Sequence, residues 1–286
     1  MNLHCSWRDI MREAAQRLTA AGVVGAPRDV RLLLAHAMGI APVDVILRET
    51  DAVDPVLLTA FAQLVARRER GEPVSRIRGW REFYGRRFTI SPAVLDPRPE
   101  TELLVEQGLK RLPTGGRVLD LGTGSGCILV SVLAEREDAS GVGVDLSGDA
   151  VVVARANAEA LGAAARASLI HQSYADALDG WFDLVLSNPP YISRAEVETL
   201  EPDVRNHDPT MALSPGDDAL EAYRVILGAM PHWLKPGGWI GFEVGIGQAA
   251  EVSGLMSAAG LEDVVWFDDL AGIPRAVFGR RRSESR

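Results

Sequence analysis

The chain has 286 residues, 47% hydrophobic and 24% charged, with two cysteines, five histidines and a formal charge of −9. This is the composition of a folded chain with room for one large domain or a large and a small one; no stretch nears the ~20 apolar residues of a membrane span. The opening MNLHCSWRDI lacks the apolar core of a secretory signal, Cys5 and Cys127 form no paired motif, and His4, His36, His171, His207 and His232 are scattered, so a reduced, cytoplasmic protein with no disulfide framework and no metal site is expected.

Residues 1–75 read as a small all-helical domain. WRDIMREAAQRLTAAG places Ile10, Ala14, Leu18 and Ala21 on one face and stops at Gly22. PRDVRLLLAHAMG starts beside Pro27 and ends before Gly39, and DPVLLTAFAQLVARRERG is a third helix closed by Gly71. No strand pattern occurs in this part, and nothing in it carries chemistry. Its nine arginines balance nine acidic residues.

Residues 76–102 change character. Gly79, Gly85, Pro92, Pro97 and Pro99 break helices, and REFYGRRFTIS alternates around a glycine as a hairpin does. We read this segment as a hairpin linker. Residues 67–87 around its start hold eight arginines against Glu69, Glu72 and Glu82. That run is either an ion-paired connector or a contact patch for an acidic or RNA-associated partner.

From Arg117 strands alternate with helices, defining a third region over 103–286. RVLDLG, GVGVD, ASLIHQ, FDLVLS and GGWIGFEV are apolar runs, with helices near 126–136, 148–162, 217–230 and 247–259 between them. Apolar strands alternating with helices mean a parallel, Rossmann-like α/β sheet covered on both faces. The closing LEDVVWFDDLAGIPRAVFGRR offers two more strands as an antiparallel edge pair, and RRSESR reads as a frayed tail. This region carries 15 basic and 26 acidic side chains, which opposes broad nucleic-acid binding.

LDLGTGSGC, residues 119–127, follows a strand and opens a helix, where an open α/β sheet binds nucleotide-like ligands. Gly122, Gly124 and Gly126 permit a tight turn and close approach of a ligand. The spacing is GxGxG rather than the GxGxxG that seats a pyrophosphate. Asp145, 19 residues after Gly126 at the end of the next strand, suits two ribose hydroxyls. Asp120 puts a negative charge beside the loop, which repels a pyrophosphate and suits a sulfonium with an ammonium group. The pair favours S-adenosylmethionine over a dinucleotide. Cys127 is expected to be a small buried residue at the helix start.

FDLVLS runs into Asn188, Pro189, Pro190 and Tyr191. Neither proline has an N–H, so the strand must stop there. Asn188 precedes a proline and is pushed extended. Its side-chain carbonyl and the Pro189 carbonyl offer two acceptors at fixed spacing, which suits the two N–H bonds of a planar –NH2 group. Tyr191 offers a flat face to that plane. An amide nitrogen is a poor nucleophile, so orientation and electrostatics must supply the rate.

At this point the chain resembles the release-factor glutamine N5-methyltransferases, the PrmC/HemK family. RERGEPVSRIRGWREFYGRRFTI, DPRPETELLVE, VLDLGTGSGCI, GVDLS, LSNPPYI, LKPGGW, FEVGIGQ and DLAGIPR follow the order of that family. NPPY alone is shared with adenine-N6 DNA and guanine-N2 RNA methyltransferases; PRPETE is more specific. The resemblance implies a seven-stranded class I methyltransferase sheet behind a helical, partner-docking N-terminal domain. It implies methyl transfer from S-adenosylmethionine, leaving S-adenosylhomocysteine, to the glutamine of the Gly-Gly-Gln motif of peptide chain release factors, with no direct nucleic-acid substrate and no membrane. By resemblance, Asp120, Leu121, Gly122, Thr123 and Gly124 surround the methionine part of the cofactor, Asp145 holds the ribose, and Asn188, Pro189, Pro190 and Tyr191 hold the glutamine, with Asn188 also beside the cofactor. Residues 97–102 would form a lid.

Three departures stand out: Asp96 replaces an aliphatic residue, QSYADAL is one residue short so that Tyr174 becomes the adenine candidate, and ALSPGDDAL lacks the expected glycines. Two competing readings are methylation of an exocyclic amine on a nucleic-acid base, and a nicotinamide-dependent redox protein. GxGxG, Asp120 and NPPY oppose the latter.

Overall fold

The computed structural model describes residues 6–174, 176, 178 and 180–283. The chain divides into two compact units, one of Met1–Gly79 with Glu201–His207 and the other of Trp80–Leu200 with Asp208–Arg286.

The first unit is helical: Trp7–Ala20, Ala26–Met38, Val45–Arg48, Pro55–Glu69 and Val74–Arg78, joined by the short Pro202–Arg205. Local chemistry sets the ends. Ser6 and Asp9 form a reciprocal capping box, Asp54 accepts the Val56 N–H at 2.8 Å, and Gly39 closes the second helix with φ 66°. Trp7 packs edge-to-face on Phe61 at 6.3 Å over a core that includes Leu18, Leu33, Leu34 and Val65. Of the expected first-helix face, Ala14 and Leu18 are buried while Ala21, the C-cap, is exposed. Buried Arg68 pairs with Asp29 at 2.8 Å and Asp203 at 3.0 Å, which ties the inserted short helix to this unit.

In the second unit, β1 (Trp80–Phe83) and β2 (Arg86–Thr89) form the expected antiparallel hairpin. Seven further strands, β3 (Arg117–Leu121), β4 (Ser140–Asp145), β5 (Ala167–His171), β6 (Phe182–Ser187), β7 (Leu234–Glu243), β8 (Leu261–Asp268) and β9 (Pro274–Arg281), form one sheet in the order β5-β4-β3-β6-β7-β9-β8. The first five are parallel, and β9 runs antiparallel to both β7 and β8. This is a class I methyltransferase sheet. The order reverses between β3 and β6, so the crevice of the sheet opens at their carboxyl ends. Register aligns those ends: Leu121 faces Val144 and Ser187, and Ser187 faces Phe242. The Ser187 hydroxyl donates to the Leu121 carbonyl at 2.7 Å, locking β6 to β3. Gly143 lets the sheet pass under the glycine loop, because a Cβ there would stand 2.8 Å from the Thr123 Oγ1.

The hairpin read from the sequence as a linker is seated on the sheet unit instead. Phe83 and Phe88, 6.0 Å apart and edge-to-face, are buried in the same core as Leu104, Leu129 and Phe278. Asn157, buried in the helix Gly148–Ala160, donates to the Thr89 and Ser125 carbonyls at 2.9 and 2.8 Å and accepts the Thr89 N–H at 2.8 Å. One side chain thus joins hairpin, glycine loop and helix. The same segment leads into a 3-10 turn, Pro99–Thr101, and a helix, Glu102–Leu109. Short helices also follow NPPY, at Arg194–Val197 and Thr210–Leu213; four residues carry too little periodicity to be read from sequence. The end of the RRSESR tail lies outside the described residues. No helix among the described residues is long and apolar enough to cross a membrane.

Candidate active site

The glycine loop hangs from the end of β4. The N–H groups of Gly122 and Thr123 both donate to the Val144 carbonyl at 2.9 Å. Gly122 and Gly124 have φ of +73° and +54°, and no heavy atom lies within 4 Å of where a Cβ would stand on either. The loop is therefore a left-handed turn lining open space. It leads through Gly126 into the helix Cys127–Glu135.

Two carboxyls flank this cradle. Asp145 accepts the Gly124 N–H through Oδ2 and the Ser147 N–H through Oδ1, both at 2.8 Å. It is only half-buried. Asp120 is fully buried. Its Oδ2 accepts the Thr123 hydroxyl at 2.6 Å and the Leu129 N–H at 3.3 Å, while its Oδ1 has no partner. Burial, and secondarily the charge of Asp145, pushes the Asp120 carboxyl up to about 7. An unpartnered buried carboxyl oxygen beneath an open glycine turn fits a cationic ligand, and Asp145 fits its hydroxylated end. A sulfonium-bearing nucleoside meets both demands; a pyrophosphate meets neither.

The NPPY segment leaves β6 beside this cradle, since the strand ends at Ser187 as the prolines require. Asn188 donates from Nδ2 to the Thr101 hydroxyl at 3.3 Å. Neither its Oδ1 nor the Pro189 carbonyl takes a hydrogen bond from any described residue. Pro190 and Tyr191 are partly exposed. Tyr191 donates to Oε1 of Glu243 at 3.3 Å, and its phenol is pushed above the usual range, foremost by burial and then by the Glu243 charge. Its carbonyl accepts Nε2 of Gln248 at 2.9 Å.

Thr101 falls in the segment 97–102 that the resemblance made a lid, whereas Glu243 and Gln248, in FEVGIGQ, were assigned no part from the sequence. Glu243 ends β7, one residue past the Phe242 that pairs with Ser187, and its Oε2 accepts the Thr101 hydroxyl at 2.5 Å. Three elements far apart in sequence meet there, which no local spacing signals.

Tyr174 lies just after β5, partly buried against the apolar layer that holds Val144 and Phe242. Its phenol is raised by burial and then by Glu221. Asp96 is buried and ion-paired with Arg81 at 3.7 Å, so the charge at this usually aliphatic position has a counterion. ALSPGDDAL runs alongside the chain after NPPY. The Ile192 N–H donates to the Leu213 carbonyl at 3.1 Å, and the Arg194 N–H to that of Gly216 at 2.8 Å. Cys127 is buried, its thiol pushed up to about 12 by desolvation. The arginine run is largely spent on partners: Arg67 on Glu72, Arg68 on Asp29 and Asp203, Arg86 on Glu135, and Arg87 on the Trp80 ring at 3.8 Å. That supports the ion-paired connector.

Two family models match the chain, the PrmC N-terminal domain over residues 9–79 and the methyltransferase small domain over 91–201. A release factor glutamine methyltransferase of Cereibacter sphaeroides is 47% identical over 272 residues, covering 95% of this chain and 97% of that protein. The chain belongs to the release factor glutamine methyltransferases. A second member, from Rhodospirillum rubrum, is 45% identical over 275 residues, covering 96% and 85%. For the fold alone, a methyltransferase from Pyrococcus furiosus matches with a TM-score of 0.51 at 15% identity, over 68% of this methyltransferase and 88% of that one.

Proposed function

We propose that this enzyme moves a methyl group from S-adenosylmethionine to the side-chain nitrogen of the glutamine in the Gly-Gly-Gln motif of peptide chain release factors, in the cytoplasm. The observation that carries the reading is the pair of unpartnered acceptors, Asn188 Oδ1 and the Pro189 carbonyl, beside a glycine cradle flanked by Asp120 and Asp145.

S-adenosylmethionine would rest on residues 120–124, with Asp145 on its ribose and Tyr174 at its adenine; when bound it supplies an electrophilic methyl on sulfur. The chain's own part is to bind and orient. Asn188 and Pro189 accept one N–H each from the glutamine amide. That fixes the amide plane, raises the electron density on its nitrogen and aims the out-of-plane lone pair at the methyl donor. Tyr191 packs on the plane, and Pro190 stiffens the segment between them. As the nitrogen gains the methyl and becomes acidic, one of the held N–H protons leaves through its acceptor oxygen to water. The helical unit at residues 1–75 would dock the protein substrate.

The test is transfer of labelled methyl to a purified release factor beside its Gly-Gly-Ala variant. Label on the parent alone supports reaction and target. Label on neither, with label on DNA or ribosomal RNA instead, would overturn the reading. Asn188→Ala should lower kcat by about 10²–10³, the scale of losing one preorganised site contact.

A further inference from the structure

Glu243 is ionisable, buried and outside the two groups of residues that touch cofactor and glutamine in the reading above. Its side chain joins two hydroxyls from separate segments, Thr101 at Oε2 (2.5 Å) and Tyr191 at Oε1 (3.3 Å). The Tyr223 hydroxyl fixes its backbone, donating to the Glu243 carbonyl at 2.9 Å. Downstream, Gln248 accepts the Gly245 N–H at 3.0 Å and donates to the Tyr191 carbonyl at 2.9 Å. Tyr191 is thus held at both ends by residues 243–248.

The polarity of these bonds matters more than their number. A threonine hydroxyl has one proton and two lone pairs. A carboxylate only accepts, so the Thr101 proton is committed to Glu243. What Thr101 then presents to Asn188 is a lone pair, and only the –NH2 end of the Asn188 amide can use it. The Asn188 carbonyl is left at the opposite end. Were the Thr101 proton free, it could donate to that carbonyl and the amide could turn over. Asn188 would then meet the glutamine –NH2 with N–H groups, donor against donor.

We propose that Glu243 is a positioning residue which, through the Thr101 hydroxyl, holds the Asn188 side chain with its carbonyl oxygen outward to receive the substrate amide. This rests on the reading that Asn188 binds the glutamine –NH2. A proton on Glu243 would release the relay, because a carboxylic acid can itself donate to Thr101. This carboxyl is pushed up to about 7, foremost by burial and with a contribution from Glu100, against the opposing effects of Thr101, Arg275 and Tyr191. The groups facing it are those four together with Tyr223 and, more distantly, Cys127.

The experiment compares the parent, Thr101→Val, Thr101→Ser and Glu243→Gln. It measures methyl transfer to a release factor at saturating S-adenosylmethionine from pH 6 to 9, and hydrogen exchange of the Asn188 side-chain amide by NMR after selective asparagine labelling. The parent's kcat should rise with pH through about 7. Thr101→Val should lower kcat by about 10–100-fold with little change in the KM for the release factor, because most contacts of a protein substrate lie elsewhere. Thr101→Ser should restore most of that loss. Glu243→Gln should lower kcat and flatten the rise near pH 7. Asn188 amide exchange should quicken in Thr101→Val and not in Thr101→Ser. Parent-like kcat and pH profile in Thr101→Val, or unchanged Asn188 exchange, would overturn the relay even if the valine variant proved less stable. A parent enzyme that leaves the release factor unlabelled would overturn the methylation reading itself; a labelling parent with unaltered variants would overturn the relay alone.

Discussion

Asp145→Ala tests the cofactor cradle most directly, because one carboxylate serves both the loop and the ligand. In the structure its two oxygens hold the Gly124 and Ser147 N–H groups at 2.8 Å each. A hydrogen bond to a charged acceptor contributes about 1.5–3 kcal/mol, and Asp145 is only half-buried, so water replaces part of what truncation removes. A net loss of about 1.4–3 kcal/mol in binding corresponds to a Kd roughly 10–150-fold weaker. The loop itself loses one anchor but keeps the Gly122 and Thr123 bonds to Val144, so the fold should persist. Calorimetric titration with S-adenosylhomocysteine, which cannot react, isolates binding, and circular dichroism checks the fold. A folded variant whose Kd stays within about two-fold of the parent's would refute the ribose assignment and the argument that Asp145 orders the loop for its ligand.

Two further outcomes follow from burial. Asp120 and Glu243 both have carboxyls raised to about 7 from ordinary values of 3.8 and 4.5, so the native state keeps their protons where the unfolded chain has lost them. Their stabilisation is complete below the unfolded values and is lost as pH rises through about 7, roughly 1.4 kcal/mol for each group between pH 6 and 8. The Tm of the ligand-free enzyme should fall by several degrees over that range and fall less in Asp120→Asn; a flat Tm would contradict the buried, unpaired Asp120. Asn157→Ala strips three hydrogen bonds from a buried position and should cost about 2–4 kcal/mol in urea unfolding, with the hairpin loosened. A loss under about 0.5 kcal/mol would mean that Asn157 does not anchor the hairpin and that its other contacts, Phe83 and Phe88 in the core and Arg86 on Glu135, hold it.

Much of this enzyme was legible in its sequence because the signals are local. Apolar runs alternating with helical stretches require a parallel sheet, a glycine turn between strand and helix marks the ligand edge, and two prolines after Asn188 must end β6 and leave unpartnered acceptors. Asp145 was readable because it ends the next strand after the loop and its helix. The helix Glu102–Leu109 escaped notice because the prolines and glycines just before it dominate that segment, and the hairpin looked like a linker because only tertiary packing buries Phe83 and Phe88.

What the sequence determined by itself, then, was which elements form and which chemistry their ends carry, because periodicity and backbone restriction act within a few residues. Only the tertiary structure decided how those ends are held. Strand register pairs Ser187 with Phe242, the residues just before Asn188 and Glu243, and packing brings Thr101 into hydrogen bonds with both. The buried carboxyl of Glu243, when ionised, then sets the direction of each hydrogen bond. That ordering depends on desolvation and on contacts across 142 residues of chain, which have no local trace.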